Sequence, residues 1–195
     1  MLRSPRLLLL AGLCAMAARA DVISVQPTPT NVTTGQSFSL NVQISGTSDL
    51  FGYQFDLGFN SAFLSAVSVT EGPFLGTGGS TIFLPGTIDN VGGTVSFTAG
   101  ILDGVTSGVS GSGVLATIGF TAIGVGSSSV GLFNVSALDS FGEGRSVTIN
   151  SATVNVTDSS NVPEPSSLLL FGTAGLVSSG HLRNRILRFL NGSGH

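Results

Sequence analysis

Hydrophobic and polar residues alternate along the middle of the chain. In the segment 51–59, large hydrophobic residues occupy every odd position, and Gly, Gln or Asp occupies every even one. A period of two is typical of a β-strand with one face in a core and one in water. The pattern therefore predicts that Tyr53 faces a core, whereas Gln54 and Asp56 face outward. Similar reasoning predicts nine strands: 22–26, 37–44, 51–59, 63–69, 81–84, 94–99, 114–122, 128–135 and 147–156.

Turns rich in glycine, serine and asparagine separate these segments, for example at 89–93 and 108–113. No helical periodicity of useful length occurs between them. Short strands separated by such turns predict an all-β fold, an antiparallel β-sandwich or jelly roll. In the last segment the hydrophobic parity changes at Asn150-Ser151, which predicts a bulge or a break there.

The first twenty residues have the pattern of a signal peptide. Arg3 and Arg6 precede an apolar run over 7–17, and Ala18 and Ala20 form the small-x-small pattern that signal peptidase accepts. We expect export of the chain and cleavage after Ala20. Cleavage would remove Cys14, the single cysteine, so the mature chain would form no disulfide.

The C-terminal end has three parts. A linker over 159–167 contains Pro163, Glu164 and Pro165, and the segment 168–190 is first hydrophobic and then basic. The apolar run is close to the lower limit of about 17 residues for a bilayer span, which predicts transient membrane anchoring. This end resembles the PEP-CTERM sorting signal of Gram-negative bacteria. The resemblance implies that an exosortase reads the Pro163-Glu164-Pro165 box and that the chain reaches the cell surface or an exopolysaccharide matrix.

The charges of the middle segment exclude one class of partner. The segment 21–161 contains nine acidic residues and one basic residue, Arg145, which gives a formal charge of −8. Such a domain would repel a phosphate backbone, so we expect no nucleic-acid partner.

The same segment lacks the residues that most catalytic sites use. It contains no Cys, Lys or His, which excludes a catalytic triad, a Schiff base and a histidine-ligated metal. A carboxylate-based glycosidase is the remaining enzymatic alternative. Because the nine acidic residues are scattered singly, each is interpreted as a solvated charge, and we predict that the domain is not an enzyme and needs no cofactor. Calcium binding through oxygen ligands is an alternative at Asp89 with Asn90, at Asp103, and at Asp139 with Glu143, but no Asp-x-Asp-x-Asp loop is present to favour it.

Four strand segments carry a second resemblance. The segments 35–42, 50–59, 64–67 and 113–120 resemble those of the cohesin domain, and the resemblance covers a domain over 21–158. It implies a nine-stranded jelly roll related to carbohydrate-binding modules. In cellulosomes, cohesins bind the calcium-loaded dockerin modules of glycoside hydrolases.

These observations together predict a non-catalytic, exported binding module that recognises a dockerin-like protein through a sheet face. Gln54, Asp56, Asp89 and Asp103 are the candidate contact residues. Binding of a matrix polysaccharide is the main alternative, although the chain has no Trp, and its single Tyr, Tyr53, is predicted in the core.

Overall fold

The computed structural model describes residues 20–28 and 30–159, which form a β-sandwich. Residues 1–19 of the predicted signal peptide 1–20, the Pro163-Glu164-Pro165 box and the C-terminal segment 168–190 lie outside the described residues. The described residues form twelve strands and one short helix: β1 Asp21–Gln26, β2 Thr30–Thr33, β3 Ser37–Leu50, β4 Gly52–Gly58, β5 Leu64–Glu71, α1 Pro73–Gly76, β6 Ser80–Leu84, β7 Thr87–Asp89, β8 Thr94–Asp103, β9 Val109–Ala122, β10 Gly126–Leu138, β11 Val147–Asn150 and β12 Ala152–Thr157. Within the described residues, no helix is both long enough and apolar enough to cross a membrane.

The strands form two sheets. One sheet has the order β11-β1-β3-β9-β5, and the other has the order β2-β12-β10-β4-β8-β6, with β7 also paired to β8. Most neighbours are antiparallel, but β1 pairs with β11 and β2 pairs with β12 in parallel. The sequence pattern therefore predicts the all-β sandwich correctly, while its strand count is three too low and the sheets are mixed rather than purely antiparallel.

The predicted break at Asn150-Ser151 is confirmed and has a topological reason. β11 ends at Asn150 and pairs with β1 in the five-stranded sheet. β12 begins at Ala152 and pairs with β10 in the other sheet. Because the chain passes from one sheet to the other at Ser151, the residues that face the core change parity there.

In each long strand, hydrophobic residues at alternate positions point inward, and these side chains form the core between the sheets. Leu40, Val42 and Ile44 of β3 are buried, as are Phe55 and Leu57 of β4. The Phe120 ring lies between two other rings, stacked on Phe38 with centroids 5.7 Å apart and in edge contact with Phe59 at 5.3 Å. Interdigitated aromatic and aliphatic side chains of this kind supply most of the stability of a domain without disulfides.

Tyr53 faces this core, as the alternation predicts. Its hydroxyl group donates a hydrogen bond of 2.6 Å to the carbonyl oxygen of Leu115. Burial raises the pKa of the Tyr53 hydroxyl well above its usual range, and the nearby negative charge of Glu71 adds to the rise. Gly100 makes room for the ring, because a Cβ atom at Gly100 would lie 2.8 Å from Cε1 and Cζ of Tyr53.

Candidate functional site

Exposed hydrophobic side chains concentrate on the outer face of the second sheet. Twelve large hydrophobic residues of the described part of the chain are exposed, and six of them lie on β10, β8 and β6, which flank the central strand β4 in the sheet order β10-β4-β8-β6. These six define a surface that we name the apolar platform: Ile82, Leu84, Phe97, Ile101, Phe133 and Leu138. Solvent-exposed apolar residues are normal when scattered singly, whereas a contiguous group is typical of an interaction site.

Strand register places the platform residues in rows. In one row Leu138 lies beside Gly52, which lies beside Ile101. Ile101 in turn lies beside Ile82. The next row crosses the sheet from Ser136 through Gln54 and Ala99 to Leu84. The rows place apolar side chains on both sides of the central strand β4.

A groove with a volume of about 210 Å³ runs across this face. Ile82, Leu84, Phe97, Ile101 and Leu138 line it, together with small residues of β4 and β8. Gly52 keeps the groove open, because a Cβ atom there would contact Cγ1 of Ile101 at 3.4 Å. The groove therefore has the shape and chemistry to receive apolar side chains of a partner.

The Asp56 side chain of β4 binds to a residue with an irregular backbone conformation on each of the two neighbouring strands. Phe97 and Asn134, on the neighbouring strands, both have left-handed backbone angles, with φ of 61° and 50°. Both lie where the pairing with β4 shifts register. One carboxylate oxygen of Asp56 accepts a hydrogen bond of 2.6 Å from the Phe97 amide, and the other accepts one of 2.6 Å from the Asn134 side-chain amide. The Asp56 carboxylate thus fixes the bulge from which Phe97 projects onto the platform.

We expect replacement of Asp56 by alanine to lower the free energy of unfolding by roughly 1–3 kcal/mol, because two donors lose a charged acceptor. Chemical denaturation measures this change. Asp103→Ala is the matched control, since Asp103 is an exposed carboxylate on β8 and makes no side-chain hydrogen bond to another described residue. Equal unfolding midpoints for the two variants would contradict the bracing role of Asp56.

The four polar residues predicted as contacts do not form one cluster. Gln54 and Asp56 are half-buried and lie on the platform side of β4, between its apolar residues. Asp103 is exposed at the end of β8, opposite Ser80. Asp89 closes the turn before β8, where its Oδ1 atom accepts hydrogen bonds from the amides of Val91 and Gly92 at 2.9 and 3.0 Å. The platform therefore includes Gln54 and Asp56, has Asp103 at its margin and excludes Asp89.

The acidic residues of the described part of the chain are also scattered. Within 20–28 and 30–159, no three His, Cys, Asp or Glu side chains come together in a way that could hold a metal ion. Asp139 bonds within its own loop, where Oδ1 accepts hydrogen bonds from the amides of Phe141 and Glu143.

The interpretation of every carboxylate as a solvated charge is wrong for Asp21. This side chain is 1% exposed and forms an ion pair with Arg145, whose Nε atom lies 2.7 Å from Oδ2. The Nη2 atom of Arg145 lies 3.2 Å from Oδ1, and the Thr47 hydroxyl donates a hydrogen bond of 2.9 Å to Oδ2. Hydrogen bonding to Asp21 is the main reason that the pKa of Arg145 is raised, so the guanidinium remains charged. The ion pair joins the start of β1 to the loop between β10 and β11.

Asp49 forms hydrogen bonds to two loops at the Leu138 end of the platform, the loop between β8 and β9 and the loop between β10 and β11. Its Oδ1 atom accepts a hydrogen bond of 2.6 Å from the Gly108 amide, and its Oδ2 atom accepts one of 2.7 Å from the Ser140 hydroxyl. The hydrogen bond from Ser140, followed by that from Gly108, lowers the pKa of Asp49 below 3.8. Because the folded state favours the ionised carboxylate, Asp49 stabilises the domain at neutral pH, and this stabilisation is lost as pH falls through its lowered pKa.

We expect Asp49→Asn to be less stable than the wild type at pH 7, with a difference that narrows as pH falls below about 4. Asparagine tolerates the φ of 60° at this position but presents a single acceptor oxygen to the Gly108 and Ser140 donors. Thermal unfolding across pH 2.5–7 measures the difference, and Asp158→Asn, at an exposed position after β12, is the control. A difference between Asp49→Asn and wild type that does not change with pH would contradict the ionised role of Asp49.

The chain is similar to known proteins in sequence and in structure. The segment 23–161 matches the family model of the cohesin domain. A non-cellulosomal cohesin from the hyperthermophilic archaeon Archaeoglobus fulgidus is similar in structure, with a TM-score of 0.59, 17% identity and coverage of 73% of this chain and 94% of that one. The sixth cohesin of scaffoldin B from Acetivibrio cellulolyticus, solved in complex with a mutant Cel5 dockerin, has a TM-score of 0.58 at 17% identity and covers 71% of this chain and 100% of its own.

A third similar structure is the OlpA cohesin from Clostridium thermocellum, solved in a type I complex with Doc918. Its TM-score is 0.58 at 11% identity, with coverage of 71% of this chain and 100% of that one. No curated protein sequence matches the chain. Since the family model spans more than half of its residues, the chain belongs to the cohesin-domain family.

Proposed function

We propose that this cohesin domain is a non-catalytic module that recognises a dockerin-like protein through the apolar platform. The observation that carries the proposal is the concentration of six exposed hydrophobic side chains on the β10-β4-β8-β6 face, five of which line one groove. Several cohesins of the same fold are solved in complex with dockerins, which supports a partner of this class.

The chemistry of the platform defines what the partner presents. Burial of apolar surface contributes about 25 cal/mol per Å², so the groove favours a partner with projecting aliphatic or aromatic side chains. Asp56 lies among the apolar residues and Asp103 lies at the margin, so basic or hydroxyl groups suit the rim of the partner surface. Truncation of a few central residues commonly removes most of the affinity of such an interface.

We also propose that this recognition takes place outside the cell. The signal-peptide pattern before Ala20 and the resemblance of the C-terminal end to the PEP-CTERM signal support export, processing by signal peptidase and an exosortase, and a destination at the cell surface or in the extracellular matrix. Mass spectrometry of the extracellular form tests this location. A chain that starts at Asp21 and ends near 163–167 supports it, and an intact C-terminal end contradicts sorting.

The experiment that tests the binding proposal is capture of extracellular proteins with the tagged chain, in calcium and in chelator, followed by reconstitution with the purified candidate. Wild type is compared with Ile101→Asp on the platform and with Ser39→Asp on the outer face of the other sheet. The proposal expects a dockerin module that is retained in calcium by wild type and Ser39→Asp and lost with Ile101→Asp. A purified dockerin partner that Ile101→Asp binds as tightly as wild type would overturn the assignment of the platform.

A further inference from the structure

The outer face of the five-stranded sheet has a chemistry opposite to that of the apolar platform. Except for Asp49 near the end of β3, its outward positions hold Ser, Thr, Asn, Gln and Gly, together with three valines, and none is aromatic. The central part of this surface, which we name the hydroxyl face, comprises Ser39, Asn41 and Gln43 of β3, Thr117 of β9, and Ser68 and Thr70 of β5. Register places Asn41, Thr117 and Thr70 in one row across three strands.

Asp49, near the end of β3, is the one ionisable residue of these five strands that lies off the core side, and its carboxylate is bonded to Gly108 and Ser140. The hydroxyl face itself holds no ionisable side chain, although the domain carries nine acidic residues. Asp21 is buried in its ion pair, and Oε1 of Glu71 is buried on the core side. Asp56 and Asp103 lie on the other sheet. The remaining five, Asp49, Asp89, Asp139, Glu143 and Asp158, lie at strand ends, in loops or after the last strand. The hydroxyl face is therefore a broad neutral surface on an acidic domain.

Hydrogen bonds donated by side chains hold part of this face in place. The Thr117 hydroxyl donates a hydrogen bond of 2.8 Å to the Asn41 side-chain oxygen. The Thr70 hydroxyl donates one of 3.4 Å to the Thr117 carbonyl oxygen. Ser39, Gln43 and Ser68 make no side-chain hydrogen bond to another described residue, so their polar groups face solvent. Neighbouring strands are about 4.8 Å apart and alternate residues about 6.8 Å apart, which gives a regular array of donors and acceptors.

We propose that the hydroxyl face binds a neutral polysaccharide chain. Hydroxyl and amide groups pair with sugar hydroxyls, and short side chains on a rigid sheet lose little conformational entropy when they bind. An acidic polymer is disfavoured because the domain carries a formal charge of −8 over 21–161. A protein partner is disfavoured because the face lacks the aromatic and arginine side chains that dominate protein interfaces. Without stacking aromatics each contact is weak, so retention depends on repeated contacts along one polymer.

Affinity electrophoresis of the full chain tests this proposal. The gels contain dextran, galactomannan, xyloglucan or hydroxyethyl cellulose as neutral polymers, and alginate as the acidic one. We expect retardation by at least one neutral polymer and none by alginate. Ser39→Glu and Ser68→Glu, which add a carboxylate to the face at exposed positions, are each expected to weaken the retardation about tenfold.

Ser129→Glu is the matched control, because Ser129 is exposed on β10 of the other sheet and pairs with Thr153. Its retardation should equal that of wild type. No retardation in any neutral polymer, equal retardation in alginate, or retardation that Ser39→Glu and Ser68→Glu leave unchanged would each overturn the proposal. Ile101→Asp should leave the retardation intact, which separates this result from any result on the apolar platform.

Discussion

Replacement of Arg145 by alanine is expected to lower the free energy of unfolding by about 3–5 kcal/mol, because it leaves the buried carboxylate of Asp21 without its cation. Asp21 is 1% exposed, so water cannot replace the two hydrogen bonds that the guanidinium supplies. The Thr47 hydroxyl is the one other side-chain donor to this carboxylate among the described residues. Denaturant unfolding at pH 7 measures the loss.

A double variant separates two contributions to this loss of stability, the uncompensated charge of Asp21 and the lost packing of the Arg145 side chain. In Asp21→Asn/Arg145→Ala the buried group is neutral, and its side-chain oxygen can still accept from Thr47. We expect this double variant to be more stable than Arg145→Ala alone, although it also lacks the native carboxylate of Asp21. A loss below about 1 kcal/mol for Arg145→Ala would show that the pair behaves like an exposed salt bridge.

Ile101→Asp is expected to raise the dissociation constant for the dockerin-like partner roughly 100-fold or more, because it places a charge in the floor of the groove where the partner excludes water. Ile101 lies between Gly52 and Ile82 at the centre of a platform row. Because this side chain is already 41% exposed, the free energy of unfolding should change by less than about 1 kcal/mol. Isothermal titration calorimetry with the purified partner measures the affinity.

Ser39→Asp is the control for this titration, since it adds the same charge to the outer face of the opposite sheet. Its dissociation constant should stay within about twofold of that of wild type. A similar loss of affinity in both variants would indicate a general effect of added charge, and would contradict binding through the platform.

The alternation of residues predicts most of the sandwich because a strand with one buried face needs one apolar parity. The segment 51–59 shows this well, and Tyr53 and Phe55 are buried as expected. Gln54 and Asp56 lie outward on β4 for the same reason. Strands β3, β9 and β10 are longer than predicted, because most residues of the added segments 45–50, 109–113, 126–127 and 136–138 are Ser, Gly or Thr and show no apolar alternation.

The apolar platform could not be predicted from alternation because a bulge changes the parity of β8. Val95, Phe97 and Ile101 share one parity in the sequence and would all be expected to face the core. The left-handed angle at Phe97 rotates the following residues, so Thr98 and Leu102 are buried while Ile101 is exposed. Only the contact with Asp56, 41 residues away, shows why the bulge occurs at this place.

Long-range side-chain contacts were equally absent from the sequence pattern. Asp21 and Arg145 are 124 residues apart, and Asp49 and Ser140 are 91 apart. Neither contact can be predicted from turn chemistry or from strand periodicity. These contacts depend on the order in which strands join the two sheets, which the pattern leaves open.

Methyl NMR of the chain, with and without the purified dockerin-like partner, reports which face of the domain the partner contacts. The platform contains Ile82, Leu84, Ile101 and Leu138, whereas the outward methyl groups of the opposite sheet include Val22, Val67 and Val114. Recognition through the platform predicts that the partner shifts the signals of Ile82, Leu84, Ile101 and Leu138 and leaves those of the three valines unchanged. Shifts confined to Val22, Val67 and Val114 would show that the partner binds the opposite sheet and would contradict recognition through the platform.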